Sequence, residues 1–226
     1  MIKFKSSYIR AIACASIMTV LCAAPSVSSW ADRYWEQKTT LFELLPIDEN
    51  DIVFLGNSIT DGGEFHELFQ MENIKNRGII SDIMPGVEKR LEQVTKGKPK
   101  KIFLLIGIND VSHGHSVDKL AARYESLVKK IRQQTPDTKL YVQSVMPINN
   151  SFKRYKALTG KEKTIKLFNE RIKKIASEND AVYVDLWPFL SDSKGNLKRE
   201  YTNDGLHLNG PGYRAWTDGI RDLVKE

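Results

Sequence analysis

Residues 101–107 read Lys101-Ile-Phe-Leu-Leu-Ile-Gly107, the most informative stretch for the architecture of this chain. Its central residues, 102–106, are all apolar, so both faces of an extended segment there would be apolar. Such a strand is typical of the middle of a parallel sheet covered on both faces by helices. Four more short apolar segments predict further strands: Asp51–Gly56, Ile74–Arg77, Lys139–Met146 and Ala181–Leu186.

Segments with helical spacing alternate with these strands. Val117–Gln134 and Glu162–Glu178 carry apolar residues at steps of three and four, and Pro211–Val224 closes the chain in the same way. The alternation predicts an α/β domain with a five-stranded parallel sheet and right-handed crossovers. Ligands of such folds bind at the carboxyl ends of the strands, so the residues that follow each strand are the candidates for chemistry. The longest loop, 147–160, follows the fourth strand and is expected to shape a substrate pocket.

Ser58 lies in Gly56-Asn57-Ser58-Ile59-Thr60, directly after the first predicted strand. A serine at a sharp turn from strand to helix exposes its hydroxyl and has its backbone N–H near a helix start, which suits a nucleophile. Serine is also a common helix N-cap, and this segment alone does not decide between the two roles. The segment is not the G-x-S-x-G elbow, because Thr60 replaces the second glycine.

Asp204 and His207 are spaced so that one turn of chain can bring the carboxylate to the imidazole. The acid would hold the Nδ1–H of the ring and leave Nε2 to accept a proton from a serine. The alternative is that the two residues cap a loop independently. A serine at a facing strand end is what turns the pair into a catalytic candidate.

Two further positions follow predicted strands. Asn109, in Gly107-Ile-Asn109-Asp110, is placed to donate its side-chain amide to an oxyanion, although Asn-Asp is also ordinary turn chemistry. Gly78 follows the second predicted strand, whose apolar pattern is weak. It is a candidate for donating its backbone N–H to the same oxyanion.

Taken in order, Gly-Asn-Ser at 56–58, Gly78, Gly-x-Asn at 107–109 and Asp-x-x-His at 204–207 resemble the four sequence blocks of the SGNH/GDSL hydrolase superfamily. The resemblance covers nearly all of the chain after its N-terminal segment. It implies a flavodoxin-like three-layer α/β/α sandwich and hydrolysis of esters through an acyl-enzyme, with neither a metal nor another cofactor.

The resemblance also implies a role for each matching residue. It makes Ser58 the nucleophile and Asp204 and His207 its partners in a triad. The oxyanion hole would consist of the Ser58 N–H, the Gly78 N–H and the Asn109 side chain. Asn57 departs from the aspartate in the family name, which removes a charge beside the nucleophile but no triad member.

Substrate preference is the less determined part of the prediction. Asn57, His113 and Asn149 are the candidates for lining the substrate pocket. The short chain and its polar loop favour removal of a short acyl group, acetyl above all, from a carbohydrate or similar polar alcohol. A lipid or lysophospholipid esterase is the alternative, and so is a non-catalytic carbohydrate-binding module that uses tryptophans such as Trp35, Trp187 and Trp216.

The N-terminal segment resembles a cleaved signal peptide. Lys3, Lys5 and Arg10 precede an apolar stretch at 11–24, which is shorter than the roughly 20 residues that span a bilayer. Cleavage after Ala31 would leave a single domain, 32–226, in the periplasm or outside the cell. Lipid attachment is a weaker alternative, because Cys22 follows Thr-Val-Leu rather than small residues.

Charge and composition exclude other functions. Removing the three basic residues of the signal lowers the formal net charge from +6 to +3, which is too mild for nucleic-acid binding. His113 and His115 are spaced like metal ligands, but the predicted mature chain has no cysteine and just two other histidines, so we predict no metal site. A small-molecule or glycan ester is the expected partner, without stable membrane insertion; the oligomeric state is not predictable from this sequence.

Overall fold

The computed structural model describes residues 29–226. The predicted signal segment lies outside the described residues apart from its last three positions, 29–31. Ser29 is the N-cap of the first helix, and its hydroxyl and the Asp32 carboxylate exchange hydrogen bonds with each other's backbone N–H groups. Within residues 29–226, no helix is both long and apolar enough to cross a membrane.

A five-stranded, all-parallel sheet forms the centre of the domain, in the order β2-β1-β3-β4-β5. The strands are β1 (Ile52–Gly56), β2 (Ile74–Gly78), β3 (Lys101–Leu105), β4 (Lys139–Gln143) and β5 (Val182–Val184). The helices are α1 (Trp30–Glu43), α2 (Ser58–Asp61), α3 (Phe65–Phe69), α4 (Met84–Lys89), α5 (Glu92–Thr95), α6 (Ile108–Ser112), α7 (Val117–Gln134), α8 (Glu162–Glu178), α9 (Trp187–Leu190), α10 (Gly210–Gly219) and α11 (Arg221–Lys225). The predicted three-layer α/β/α architecture is confirmed.

Aromatic side chains form the core on one face of the sheet. Phe54, Phe103 and Tyr141 occupy paired positions on β1, β3 and β4, with ring centroids 5.0 and 4.4 Å apart along the row. Phe65 of α3 and Trp216 of α10 cover Phe54. Trp216 is fully buried and is therefore a core residue rather than an exposed platform for a sugar.

The opposite face is covered by α7 and α8, which have the bounds that the periodicity predicts. Tyr124 of α7 meets Phe168 of α8 edge to face at 5.7 Å, and both side chains are buried. Ser116 caps α7 by accepting from the Lys119 N–H.

The predicted strands that become β3, β4 and β5 all end earlier than their apolar sequence indicated. β3 stops at Leu105, and Gly107 turns the chain with φ at +126°. β4 stops at Gln143, after which both backbone groups of Val145 bond to the Asn169 side chain of α8, at 2.8 and 2.9 Å. The residues beyond β3 and β4 are buried by packing, so their hydrophobicity does not mark the end of the hydrogen-bonded ladder.

The last helix was predicted as one segment and is interrupted at Ile220, which separates α10 from α11. At Gly219, a Cβ atom would lie 2.5 Å from the Phe189 ring. The C-terminal turn is held through Lys101, whose ammonium donates to the carbonyls of Leu223 and Val224.

Candidate active site

Ser58 is placed by a tight turn at the carboxyl end of β1. Gly56 is required there, because a Cβ atom would lie 2.3 Å from the Leu105 carbonyl oxygen. Asn57 caps α2 by accepting from the Ile59 N–H at 3.1 Å, and Ser58 is the first residue of that helix. Asn57 is almost fully buried, so its position is that of a cap rather than of an exposed pocket residue.

The loop before α10 brings His207 to Ser58. The Ser58 Oγ and His207 Nε2 atoms are 2.9 Å apart, and His207 Nδ1 lies 2.8 Å from Asp204 Oδ2. The sequence therefore predicted correctly that these three side chains meet, although 149 positions separate the serine from the histidine.

The Asp204 carboxylate is fixed by its own loop. Its Oδ1 accepts from the backbone N–H groups of Leu206 and His207 at 2.9 and 2.8 Å. Burial raises the pKa of this carboxyl, and the hydrogen bonds outweigh burial and hold the pKa at about 2. Asp204 is therefore ionised at neutral pH and can orient the imidazole.

Asn149 supports this loop from behind. Its backbone N–H donates to the Gly205 carbonyl at 2.8 Å, and its side-chain amide donates to the Leu197 carbonyl at 2.8 Å. The Asn149 carbonyl closely approaches Gly205, where a Cβ atom would lie 2.3 Å from it and φ is +89°. The expectation that Asn149 lines the pocket is not met: it is not among the residues that border the cavity on Ser58, its backbone N–H holds the Asp204–His207 loop, and its side-chain amide binds Leu197.

Asn109 borders the same cavity as Ser58 and is the second residue of α6. One N–H of its amide donates to the Asp82 carbonyl at 2.8 Å, which leaves the second N–H for a ligand. Gly107 allows the chain before Asn109 to pass close to the Phe168 ring, because a Cβ atom at position 107 would lie 2.7 Å from that ring.

Gly78 does not occupy the position expected of an oxyanion donor. Its N–H donates to the Asn76 side-chain oxygen at 2.8 Å, and a Cβ atom would lie 2.1 Å from the Asp61 nitrogen. The bare backbone thus allows β2 to pack against α2. Because its N–H already has a partner, the expectation for Gly78 is corrected.

Within the part of the chain that the structure describes, Ser81, three residues further on, has the free backbone N–H that was expected at Gly78. It is the third residue of a turn closed by the Asp82 N–H on the Ile79 carbonyl, with φ at +65°. Ser81 borders the same cavity as Ser58 and Asn109, and its N–H meets no acceptor within residues 29–226. This conformation could not be predicted from the sequence, because residues in the left-handed region are usually glycines and position 81 is a serine.

A buried ion pair holds the Ser81 turn against β1. Asp82 and Arg90 meet at 2.8 Å with both side chains almost fully buried, and Arg90 also donates to the Gly56 carbonyl at 3.1 Å. Trp35 of α1 donates its ring N–H to the other oxygen of Asp82. The turn and the strand end that carries Ser58 are thereby connected through charged hydrogen bonds.

Tyr155 also belongs to the site. Its contact with the triad was not predicted from the sequence. Its hydroxyl donates to Asp204 Oδ2 at 2.8 Å and lies 3.0 Å from His207 Nδ1. Burial and the neighbouring carboxylate raise the pKa of Tyr155 to about 12, so it stays a donor. The 147–160 loop was expected to shape the pocket, but no local pattern marks which of its residues reaches the triad.

A cavity of about 330 Å³ opens on Ser58 and His207. Its remaining lining residues come from the Ser81 turn, α6, the 147–160 loop and the Asp204–His207 loop: Ile80, Ser81, Asn109, Ser112, Arg154, Tyr155, Lys156, Ala157, Leu158 and Leu206.

His113 ends α6 as an exposed residue and is not among the residues lining this cavity. Its ring meets that of His115 edge to face at 6.2 Å. Within residues 29–226, the group of potential metal ligands that lie close together is a different one, the exposed Glu64, His66 and Glu67.

Comparison with known proteins identifies sequence and structural relatives of this chain. The model of the GDSL-like lipase/acylhydrolase family matches residues 54–215. A multidomain esterase from Ruminococcus flavefaciens is 29% identical over 189 residues, which are 79% of this chain and 21% of the relative. The chain therefore spans about a fifth of that relative's length.

Solved structures share the fold. A Streptococcus pneumonia protein, provisionally described as a platelet activating factor, has a TM-score of 0.79 at 29% identity, over 86% of this chain and 94% of that one. A variant of an acetyl-xylooligosaccharide esterase from Geobacillus has a TM-score of 0.63 at 20% identity, over 80% of this chain and 96% of that one.

Proposed function

This chain belongs to the GDSL-like lipase/acylhydrolase family, and we propose that it is a serine ester hydrolase with Ser58 as its nucleophile. The observation that carries the proposal is the continuous hydrogen-bond chain from Ser58 through His207 to Asp204, with steps of 2.9 and 2.8 Å. A serine hydroxyl is a weak nucleophile until a neighbouring base removes its proton and a third group orients that base. The two distances are within the range that this chemistry requires.

The proposed reaction has two halves. His207 Nε2 takes the Ser58 proton as Oγ attacks the ester carbonyl, and the alcohol then leaves with that proton. A water molecule, deprotonated by His207 in turn, attacks the acyl-enzyme and releases the carboxylic acid and the free serine. Asp204 stays ionised throughout and stabilises the imidazolium that forms in each half.

We assign the oxyanion to three donors: the N–H groups of Ser58 and Ser81 and the free N–H of the Asn109 amide. All three residues border the cavity. Ser81 replaces Gly78 in this role, because the Gly78 N–H donates to Asn76. Preorganised donors of this kind stabilise the charge that develops in the transition state.

The acyl group proposed is short, acetyl above all, and the alcohol is polar. A cavity of about 330 Å³ has to hold both parts of the ester near Ser58. Ser81, Ser112, Arg154 and Lys156 give its wall a polar character that suits a hydroxyl-rich alcohol such as a carbohydrate. Similarity to an acetyl-xylooligosaccharide esterase is consistent with this choice.

The proposal is tested by hydrolysis of 4-nitrophenyl acetate, butyrate and octanoate. We expect acetate to react fastest and Ser58→Ala to lose the activity, while Ser177→Ala, an exposed serine on α8, retains it. A preference for octanoate would instead indicate a lipid esterase. No hydrolysis of any ester would favour a non-catalytic binding module on the same scaffold.

Export from the cytoplasm is a separate proposal, based on the basic and apolar N-terminal sequence. We expect the mature chain to begin at Asp32 and to be found in the periplasm or the culture medium. N-terminal sequencing of the protein from each fraction tests this. A chain that keeps residues 1–31 and stays in the cytoplasm would contradict it.

A further inference from the structure

The 147–160 loop gives the wall of the cavity a positive charge. The loop contains Lys153, Arg154 and Lys156 and no aspartate or glutamate. Arg154 and Lys156 border the cavity that opens on Ser58 and His207. We infer that the site selects esters whose alcohol portion carries an anionic group, held by Arg154 and Lys156; this inference rests on the proposed ester hydrolysis.

Neither cation is neutralised by the protein itself. Within residues 29–226, Arg154 and Lys156 form no ion pair, whereas Arg171 binds Asp118 and Lys139 binds Glu226. The residues that line the cavity include no carboxylate. An anion entering the cavity would therefore meet two cations without first displacing a resident partner.

Asp204 is the carboxylate to consider, because it borders a neighbouring cavity together with Arg154. Its two oxygens already accept hydrogen bonds from the His207 ring, the Tyr155 hydroxyl and two backbone N–H groups. It forms no ion pair with Arg154. The positive charge of the loop is thus available to a ligand.

The backbone between the two cations is fixed relative to the proposed nucleophile. Tyr155 separates them in sequence, and its hydroxyl binds Asp204 Oδ2 at 2.8 Å. The Leu158 N–H donates to the Tyr155 carbonyl at 3.0 Å, and the Leu158 side chain is buried. Arg154 and Lys156 therefore extend from an anchored segment that already contacts the triad.

The anionic group belongs to the alcohol portion, because acetyl, the acyl group proposed, has no place for a charge. Arginine binds planar carboxylates and phosphates through paired N–H groups, and lysine adds a second positive charge. The shared chemistry is a carboxylate or a phosphate attached to the alcohol, as in an acetylated sugar acid or an acetylated sugar phosphate.

Matched acetate esters test the inference. The substrates are 3-acetoxybenzoate, neutral 3-acetoxybenzamide and 3-acetoxyphenyl phosphate, with each kcat/KM divided by the rate of hydrolysis of the same ester by hydroxide. We expect wild-type enzyme to prefer an anionic ester over the amide by about tenfold at low salt, and the preference to fall as salt is added. Comparing the two anionic esters distinguishes a carboxylate from a phosphate.

Variants assign the preference to the loop. Arg154→Gln/Lys156→Gln should bring the anionic and neutral esters to nearly equal normalised kcat/KM. Lys173→Gln/Lys194→Gln removes the same charge from exposed positions outside the cavity and should keep the preference.

Equal rates in the wild type, or a preference that survives in the loop variant, would overturn this inference and leave the esterase proposal standing. No hydrolysis of any of the three esters would instead overturn the esterase proposal, and this inference with it.

Discussion

Tyr155 is the residue through which the substrate-facing loop contacts the proposed triad. Its hydroxyl and His207 Nδ1 bind the same carboxylate oxygen, Asp204 Oδ2, each at 2.8 Å. We interpret Tyr155 as a positioning residue, since its hydroxyl contacts the Asp204 carboxylate and the His207 ring, which in turn act on Ser58.

We predict that Tyr155→Phe lowers kcat for 4-nitrophenyl acetate by about three- to tenfold, which is the loss of one hydrogen bond to a partly exposed charged group, with little change in KM. Loss of a donor should also raise the pKa of Asp204 from about 2, which carboxyl carbon NMR can follow. Tyr34→Phe is the matched control, because Tyr34 donates to Asp61 in the same way at 2.7 Å outside the triad. An unchanged kcat and an unchanged Asp204 pKa would refute the positioning role.

Ser81 and Gly78 differ in why a Cβ atom is unfavourable at their positions. Ser81 has φ at +65°, which disfavours any residue with a Cβ atom, whereas Gly78 has no room for a Cβ atom beside Asp61. We predict that Ser81→Gly raises stability by up to about 1 kcal/mol and keeps most of the activity, because the backbone N–H is retained.

Gly78→Ala is the companion variant and should lower stability by several kcal/mol, since the new methyl group would lie 2.1 Å from the Asp61 nitrogen. Thermal unfolding of both variants checks the pair. If Ser81→Gly proved less stable than wild type, or Gly78→Ala proved neutral, the description of this turn would be wrong.

At the scale of elements, the Asp82–Arg90 pair connects the Ser81 turn, the chain after α4 and the end of β1. We predict that Arg90→Met destabilises the protein by about 3–5 kcal/mol in urea unfolding, because it leaves a buried carboxylate without a partner. The double variant Asp82→Asn/Arg90→Met should recover part of that loss.

The control is Arg221→Met, which breaks a surface pair with Asp218 at 2.6 Å. Its effect should stay within about 1 kcal/mol, because solvent screens exposed ion pairs. Equal effects of the two single variants would contradict the importance given to the buried pair.

The helices and strands also show which parts of the structure can be predicted from the sequence. α7 and α8 have the predicted bounds, because long apolar periodicity fixes a helix well. The ends of β3 and β4 were predicted too late, because side chains such as Val145 stay buried after the backbone leaves the ladder. Apolar residues in the sequence indicate which side chains will be buried, but they do not indicate which acceptor a backbone N–H will bind.

The same distinction applies to the site. Ser58, Asp204 and His207 were named as candidates because they lie in sequence blocks that resemble those of a known family, one after a strand and two at a spacing of three. Gly78 was misplaced, and the contact of Tyr155 with the triad was missed, because both depend on the path of the chain between elements. That path is decided by tertiary hydrogen bonds, such as that from the Gly78 N–H to Asn76.

At the scale of the whole molecule, stability should depend on pH through Asp204. Its pKa in the folded protein is about 2, below the ordinary aspartate value of 3.8, so the ionised form favours folding. The contribution is fully present above about pH 4 and is lost as the pH falls toward 2.

We predict that wild-type protein loses about 1–2 kcal/mol more than Asp204→Asn between pH 5 and pH 2, with allowance for solvent screening of this partly exposed group. Urea unfolding at a series of pH values measures the difference. Parallel curves for the two proteins would show that Asp204 has the same pKa in the folded and unfolded chains.

The central claim, that Ser58 is an activated nucleophile, is tested most directly by covalent labelling with diisopropyl fluorophosphate and peptide mass spectrometry. The account predicts a single adduct on the peptide that contains Ser58, with activity lost in proportion to labelling. Ser58→Ala should take up no label, and His207→Ala should react far more slowly. Labelling at another residue, or an unlabelled Ser58 in a protein that still hydrolyses 4-nitrophenyl acetate, would contradict it.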